Sequence, residues 1–140
     1  MIFTHPIRVY WEDTDAGGIV YHSNYLNFAE RARTEMVRGL GIDQRGLADG
    51  GKGFAFAVRR AEMDFRKPAR LEDRLEVETR VTAAGGASLS LCQDIRRLDD
   101  GADLVRLHIE LAFIDLAQGR PARLPETIRA TLRALVSERR

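Results

Sequence analysis

Cysteine is nearly absent from this chain: Cys92 is the only one among 140 residues, so no disulfide can form within it. Apolar runs are far shorter than the roughly 20 residues that a membrane-spanning helix requires. Charged residues are already frequent among the first fifteen positions, which predicts that the chain carries no secretory signal. These absences favour a protein of the reducing cytoplasm.

A strong net charge is missing as well, because 22 basic residues balance 21 acidic ones and leave a formal net charge of +1. Such a small value gives no electrostatic reason to expect a nucleic-acid or membrane-surface partner. The composition is otherwise that of a globular protein, with 44% hydrophobic and 31% charged residues. We expect one domain that covers residues 1–140.

Metal and nucleotide motifs are also lacking. The three histidines, His5, His22 and His108, show no metal-ligand spacing with one another. A glycine-rich phosphate loop does not occur, and no residue pattern supports a Ser-His-Asp or Cys-His catalytic group. We therefore expect neither a metal nor a cofactor.

A calcium loop is the one metal site that the sequence partly imitates. Asp13, Asp15 and Gly18 fit the first, third and sixth positions of such a loop. However, Gly17 stands where the fifth-position ligand belongs, and Asn24 replaces the bidentate glutamate of the twelfth position. With two main ligands missing, we set this interpretation aside.

Hydrophobic periodicity predicts one long helix and several strands. Apolar residues recur every three or four positions from about Asn24 to Arg38, which is typical of a helix with one buried face. Apolar and charged residues alternate over 71–83, 87–98 and 105–113, which predicts half-buried antiparallel strands. Further predictions are a strand at 3–11, a short helix at 43–48, a strand at 54–66 and a helix from Pro125. The order β-α-β-β-β-β-α indicates an α+β fold, with a central helix against a curved antiparallel sheet.

The strand at 54–66 changes its apolar phase across Arg59 and Arg60. A β-bulge at this point explains the change, and bulges often occur beside functional sites. A strand that simply passes from one buried environment to another explains the pattern equally well.

The segment between the first strand and the helix carries the chemistry. Two carboxylates, Asp13 and Asp15, precede a Gly17-Gly18 turn, and the helix begins soon afterwards. A helix start offers free backbone N–H groups and a positive dipole end. A carboxylate beside such donors can attack a carbonyl, or activate water against it, while the donors polarise the carbonyl oxygen. This combination indicates acyl chemistry, with one aspartate as a turn former and the other as the working residue.

A family resemblance lies in residues 8–10, 12–22, 24–25, 30–35 and 68–71, and it extends over nearly the whole chain. These segments resemble the hotdog-fold acyl-CoA thioesterases of the 4-hydroxybenzoyl-CoA thioesterase family. Within that family, the chain is most similar to the YbgC-type branch, which is encoded with the Tol-Pal envelope system. The resemblance implies a hotdog fold, a helix wrapped by an antiparallel sheet, and the hydrolysis of an acyl-CoA thioester.

The resemblance also implies particular roles for residues. The catalytic carboxylate falls on Asp15 rather than Asp13, and the backbone N–H that polarises the thioester carbonyl falls on His22. The ring of His22 is also a site residue in YbgC-like members. Asp15 then acts as a nucleophile or as a general base, and the sequence does not separate these roles.

Substrate contacts are expected from both subunits of an oligomer. Family members are typically homodimers or homotetramers whose active sites lie at the subunit interface. We assign Gly17 and Tyr25 to the substrate-binding surface, and we expect Val58, Arg59 and Arg60 to line the partner's site.

The chain departs from the family at two places. Trp11 stands where relatives often have a tyrosine, and Gly85-Gly86-Ala87-Ser88 replaces a basic cluster of the 4-hydroxybenzoyl-CoA enzyme. The CoA phosphates must therefore be held elsewhere. The candidates are Arg59, Arg60, Arg66, Lys67 and Arg70.

Other functions remain open from the sequence. A thioesterase that acts on acyl-carrier-protein thioesters is one, and a non-catalytic acyl-binding or scaffold protein of a cell-envelope complex is another. A hotdog dehydratase fits less well, because such enzymes pair a histidine base with a carboxylate on the helix, and that pattern is absent.

Overall fold

The computed structural model describes residues 1–136, which form a six-stranded antiparallel sheet against a long helix. The predicted domain boundary at residue 140 lies outside the described residues. The strands are β1 (Phe3–Arg8), β2 (Phe54–Phe65), β3 (Arg74–Ala84), β4 (Ser88–Arg97), β5 (Asp103–Asp115) and β6 (Arg120–Pro121). The helices are α1 (Asn24–Gly39), α2 (Gln44–Ala48) and α3 (Glu126–Ala134), with short 3-10 turns at Trp11–Asp13 and Asp49–Gly51.

The sheet has the strand order β1-β3-β4-β5-β2, and β6 adds to β5. All pairings are antiparallel. In β3 the side chains of Leu75, Val77 and Val81 are fully buried, whereas the residues between them are partly exposed or hydrogen-bonded. One face of the sheet therefore covers the core, as the period-two pattern predicted, and the α+β class is confirmed.

Helix α1 fills the centre of that core. Phe28 and Ala29 are completely buried, and Ala32 is 3% exposed. The small alanine side chains let the helix backbone lie close to the sheet, which gives the dense packing of a protein interior. The helix is confirmed within one residue of its predicted end.

Strand β2 forms one edge of the sheet, because within residues 1–136 it pairs only with β5. Its register shifts between Val58 and Arg60, so that Arg59 is the extra residue of a bulge. Of the two explanations for the phase change, the structure shows the bulge. Apolar side chains along this edge are unusually open to solvent: Val58 is 52% exposed and Phe65 is 51% exposed.

Two boundaries differ from the predictions by three residues, and one strand was not predicted. Strand β1 ends at Arg8 rather than at residue 11, because the chain turns into the 3-10 segment. Strand β3 begins at Arg74 rather than at residue 71, since Glu72 adopts a φ of 72° in the preceding turn. The two-residue strand β6 was not predicted, and it is too short for any periodicity to reveal it.

Candidate active site

The loop between β1 and α1 folds back on itself around Asp15. The backbone N–H of Asp15 donates to the carbonyl of Ile19 at 3.0 Å, and that of Gly18 donates to the carbonyl of Asp15 at 3.0 Å. Gly18 takes a φ of 79°, which side-chain-bearing residues rarely adopt. A bridge between Ile19 and Arg70 then ties this loop to the segment before β3.

Asp13 is a structural residue of this loop. It is 6% exposed, and its carboxylate accepts a hydrogen bond from the backbone N–H of Tyr10 at 2.8 Å. Its carbonyl accepts from the N–H of Tyr21 and from Nδ2 of Asn24, each at 2.9 Å. Asp13 thus joins the loop to the beginning of α1, and its carboxylate is already engaged in a hydrogen bond with Tyr10.

Asp15 has a different environment, because its side chain is exposed. Its Oδ1 accepts a hydrogen bond from the backbone N–H of Gly17 at 2.8 Å. An added Cβ at Gly17 would lie 3.2 Å from that oxygen, which is closer than ordinary contact. Gly17 therefore allows the backbone to approach and orient the Asp15 carboxylate, while the rest of the group faces solvent.

The start of α1 is left without a side-chain cap. Ser23 occupies the cap position, but its side chain makes no capping hydrogen bond. The side chain of Asn24 is also committed elsewhere, because it donates to the Asp13 carbonyl and accepts from Asn27 at 3.0 Å. Within residues 1–136 the backbone N–H of His22 has no acceptor. This end of the helix therefore presents a free donor and the positive end of the helix dipole.

An apolar cleft of about 350 Å³ opens beside this helix start. The ring of His22 lies 6.3 Å from that of Phe65 in an edge-on arrangement, and the ring of Tyr25 lies 5.9 Å from Phe65. The lining residues are Ile19, Val20, His22, Tyr25, Phe65, Arg66, Lys67 and Pro68. The cleft thus combines an apolar floor with a basic rim, which suits a ligand with an apolar part and an anionic part.

Tyr25 contributes its ring to this cleft, whereas its hydroxyl is used by the fold. The residue is 3% exposed, and the hydroxyl accepts a hydrogen bond from the backbone N–H of Ala69 at 3.0 Å. Burial raises the pKa of the Tyr25 phenol above its ordinary value, and the hydrogen bond from Ala69 partly opposes this effect. The residue therefore joins α1 to the segment that forms one wall of the cleft.

Val58, Arg59 and Arg60 do not reach this cleft in the same chain. Arg59 pairs with Glu110 at 2.8 Å, and Arg60 pairs with Glu62 at 2.6 Å. At about 3.3 Å per residue, the five positions from Arg60 to Phe65 amount to roughly 16 Å of strand. That Val58, Arg59 and Arg60 line the site of a partner subunit stays a prediction.

Phe65 and Pro68 line the cleft without having been singled out in the sequence. Phe65 is the last residue of β2, and Pro68 follows in the connection to β3. Arg66 and Lys67 were candidates for phosphate binding, and the structure places both at the cleft. The hydrogen bond between Ala69 and Tyr25 and the contact between the rings of Tyr25 and Phe65 place this connection beside the start of α1. No sequence pattern indicates these contacts.

Within the described residues, no three His, Cys, Asp or Glu side chains are arranged to hold a metal ion. No helix among residues 1–136 is long and apolar enough to cross a bilayer. The polar groups at the cleft are His22, Arg66 and Lys67, and the Asp15 carboxylate lies in the loop that ends at His22.

Comparison with known proteins identifies the family. The model of the thioesterase-like superfamily matches residues 9–132. The acyl-CoA thioester hydrolase YbgC of Escherichia coli O6:H1 is 40% identical over 127 residues, which cover 91% of this chain and 92% of that protein. The acyl-CoA thioesterase YbgC of Haemophilus influenzae is 39% identical over 133 residues, which cover 95% of this chain and 96% of that protein.

Solved structures agree on the fold. A 1,4-dihydroxy-2-naphthoyl-CoA thioesterase from Synechocystis superposes with a TM-score of 0.85 at 26% identity, covering 94% of this chain and 96% of its own. A hypothetical protein from Thermus thermophilus gives a TM-score of 0.87 at 28% identity, covering 99% of this chain and 100% of its own. The predicted hotdog fold is confirmed. The chain belongs to the thioesterase-like superfamily and, within it, to the YbgC-like acyl-CoA thioesterases.

Proposed function

We propose that this protein hydrolyses acyl-CoA thioesters to the free acid and the CoA thiol, with Asp15 and the backbone N–H of His22 as the catalytic groups. One observation carries the proposal. An exposed carboxylate, held by Gly17, lies in the same loop as an uncapped helix start at the mouth of an apolar cleft.

The reaction needs little more than these groups. A thiolate with a pKa of about 8–9 leaves without strong acid assistance. The enzyme has to supply a nucleophile or base, and it has to stabilise the oxyanion that forms when the carbonyl is attacked. The His22 N–H and the dipole of α1 provide that stabilisation, which is worth roughly 3 kcal/mol per donor.

Two routes use Asp15 differently and give the same products. As a nucleophile, the carboxylate bonds to the thioester carbon and the C–S bond breaks, which leaves an anhydride that water then hydrolyses. As a general base, Asp15 accepts a proton from water, whose oxygen attacks the same carbon and expels the thiolate. Its exposed position is compatible with both routes.

The basic rim of the cleft is the proposed site of the CoA phosphates. Arg66 and Lys67 line the cleft, and Arg70 lies beside Ile19 through the bridge that closes the catalytic loop. Arg66 pairs with Asp64 at 3.1 Å, just as Arg59 pairs with Glu110 and Arg60 with Glu62. Within residues 1–136, Lys67 and Arg70 form no ion pair, so we favour these two residues for the phosphate contacts.

The active assembly that we propose is a homodimer, or a homotetramer built from such dimers, in the cytoplasm. The outer edge of β2 has unpaired backbone groups and exposed apolar side chains, which a second copy can cover. An antiparallel pairing centred a few residues before Phe65 brings the partner's Val58 and Arg60 towards the cleft. This arrangement gives the bulge at Arg59 a role at the neighbouring site.

The proposal is tested by steady-state hydrolysis of short-chain, long-chain and aromatic acyl-CoAs with wild type and Asp15→Asn. We expect Asp15→Asn to lower kcat at least about 10³-fold, since the reacting group is removed. Asp103→Asn is the matched control, because Asp103 is exposed at the start of β5, away from the loop. The control should retain wild-type kcat and both variants should retain the wild-type unfolding temperature.

An active Asp15→Asn variant would overturn the assignment of the catalytic group. If the enzyme hydrolyses acyl-carrier-protein thioesters but no CoA ester, the proposed carrier is wrong and thioester hydrolysis stands. Tight acyl-CoA binding without any turnover would instead indicate a binding or scaffold protein of an envelope complex.

A further inference from the structure

Trp11 is the most exposed large hydrophobic residue among residues 1–136, with an exposed fraction of 79%. It is also the only tryptophan of the chain. Its neighbour Tyr10 is 61% exposed, and both residues line the same surface cavity. A concave surface with two exposed aromatic side chains is typical of a place where a ligand binds.

This cavity has a volume of about 440 Å³ and lies between the 3-10 turn after β1 and the segment before β3. Main-chain hydrogen bonds join its two walls. The N–H of Glu72 donates to the carbonyl of Val9 at 3.0 Å, and the N–H of Val9 donates to the carbonyl of Asp73 at 3.0 Å. The lining residues, which define what we call the aromatic cavity, are Val9, Tyr10, Trp11, Glu12, Leu71 and Glu72.

One short stretch of chain joins the aromatic cavity to the apolar cleft at the start of α1. It leaves β2 and crosses the end of the sheet to β3. Pro68 lines the cleft and Leu71 lines the aromatic cavity, so their Cα atoms are at most about 11 Å apart. Ile19 lines the cleft too, and its bridge to Arg70 brings the loop between β1 and α1 against the same stretch.

The charges along this stretch differ from those in the aromatic cavity. Lys67 and Arg70 lie between the two cavities and are the residues that we favour for the CoA phosphates. Two carboxylates, those of Glu12 and Glu72, line the aromatic cavity, and Arg8 lies 4.0 Å from Glu72 as a further cation. Carboxylates repel phosphate groups but accept hydrogen bonds from the exocyclic amine of adenine. The aromatic cavity therefore suits a neutral, flat base better than it suits a phosphate.

The dimensions of CoA agree with a path along this stretch. About 13 bonds separate its sulfur from its first phosphorus, and they span roughly 16 Å when extended. His22 lies three residues after Ile19, and Arg70 lies across the bridge from Ile19. The Cα atoms of His22 and Arg70 are therefore at most about 16 Å apart. Leu71 follows Arg70 directly, so a base beyond the pyrophosphate reaches the aromatic cavity.

We propose that the aromatic cavity binds the adenine base of the CoA substrate, with the base stacked on the ring of Trp11. The inference rests on the proposed thioesterase function and adds how the carrier of the acyl group is recognised. Aromatic side chains bind bases in this way because every base has a π-face. The acyl group takes no part in the contact, so the contribution of Trp11 is the same for every acyl-CoA.

Intrinsic fluorescence tests the contact directly. Because Trp11 is the only tryptophan, the tryptophan emission of the wild-type protein reports on this cavity alone. We expect CoA and adenosine 3′,5′-bisphosphate to quench the emission in a saturable manner, since a stacked base contacts the indole ring. Pantetheine and inorganic pyrophosphate should leave it unchanged. Quenching by pantetheine, or the absence of quenching by adenosine 3′,5′-bisphosphate, would overturn the inference.

Kinetics provides a second test. The ratio of kcat/KM for hexanoyl-CoA to that for hexanoyl-pantetheine measures what the nucleotide contributes. Trp11→Ala should lower this ratio about tenfold, as the loss of one stacked base predicts, whereas Trp11→Tyr keeps an aromatic ring and should retain most of it. Ile2→Ala is the matched control, because Ile2 is 49% exposed and about 20 Å of β1 separates it from Trp11.

An unchanged ratio in Trp11→Ala would overturn the inference, as would an equal fall in Ile2→Ala. Thermal unfolding checks that each variant is folded, and the fluorescence test needs no variant at all. Asp15→Asn separates this inference from the proposed function. Hydrolysis of hexanoyl-CoA that depends on Asp15 upholds the thioesterase, even where Trp11→Ala leaves the ratio unchanged.

Discussion

At the scale of single residues, the loop assigns different tasks to two similar carboxylates. Asp13 is buried and its carboxylate accepts a backbone hydrogen bond, whereas Asp15 is exposed and its carboxylate, within residues 1–136, accepts a hydrogen bond from Gly17 alone. The sequence spacing of the two aspartates does not predict which of them is buried. That depends on the folded loop, in which Tyr10 and Asn24 donate hydrogen bonds to Asp13.

Gly17→Ala tests the orientation of Asp15. The added Cβ would lie 3.2 Å from Oδ1 of Asp15, so that the carboxylate has to shift. Since displacement of a reacting group by an ångström costs up to about 10²-fold in rate, we expect kcat to fall about tenfold or more. Gly39→Ala is the control, because nothing lies within 4 Å of its added Cβ.

Kinetics on the same acyl-CoA and thermal unfolding of both variants check this expectation. Equal kcat values for Gly17→Ala and Gly39→Ala would show that the contact between Gly17 and Asp15 has no role in turnover.

Tyr25 predicts a pH dependence of stability. Its folded pKa lies above the ordinary value of 10.0, so the folded protein holds the phenol proton more tightly than the unfolded chain. The contribution of Tyr25 is therefore complete below pH 10.0 and is lost as the pH rises through the folded pKa. Urea unfolding near neutral pH and above pH 10.0 should show a smaller loss of stability in Tyr25→Phe than in wild type.

Tyr21→Phe is the control for this measurement, because the Tyr21 ring is 45% exposed. It should lose as much stability at high pH as wild type does. An equal loss in Tyr25→Phe and wild type would assign the alkaline sensitivity to other groups.

At the scale of elements, Asp13 fixes the loop between β1 and α1 to the start of α1. Asp13→Ala leaves the N–H of Tyr10 without its acceptor, so we expect the free energy of unfolding to fall by about 1–3 kcal/mol. Urea unfolding measures this change. Glu12→Ala is the control, since Glu12 is the exposed neighbour in the same turn. A loss of turnover as deep as that of Asp15→Asn, with stability unchanged, would contradict a structural role.

The regular elements could be predicted because their burial is periodic. In β3, β4 and β5 one face lies in the core and the other is mostly half-buried. Buried apolar residues therefore recur at about every second position of the sequence. The phase change in β2 was visible in the sequence for the same reason, since the extra residue Arg59 shifts the alternation of apolar residues by one position.

The ends of elements were harder to predict because single residues determine them. Glu72 takes a positive φ although it is not glycine, and this conformation delays the start of β3. The candidate site was divided in the same way. The loop motif predicts Asp15 and His22 as site residues, and their roles stay predictions, whereas Phe65 joins the cleft through contacts between distant parts of the chain.

At the scale of the whole molecule, the open edge of β2 predicts the assembly. Val58 is 52% exposed on that edge, and Val58→Lys should place a charge in the interface of a dimer. We expect the variant to shift to monomers at micromolar concentration and to lose most of its turnover, because the partner completes each site in the proposed assembly. Leu98→Lys is the control, since Leu98 is 43% exposed in the hairpin between β4 and β5.

Sedimentation velocity combined with kinetics checks this prediction. A monomeric Val58→Lys variant with wild-type kcat would show that each chain contains a complete site. A variant that remains dimeric would place the interface on another surface.

The uncapped start of α1 links catalytic power to thermal robustness. Helices usually gain about 1 kcal/mol from a side chain that caps their first N–H groups, and here neither Ser23 nor Asn24 supplies that gain. A capping side chain at residue 23 would bond the N–H of Tyr25 or Leu26 and would place its partly negative oxygen beside the N–H of His22. If that N–H stabilises the oxyanion as proposed, a substitution that raises the melting temperature here would weaken turnover, and thermostable variants of this chain should acquire their stability elsewhere.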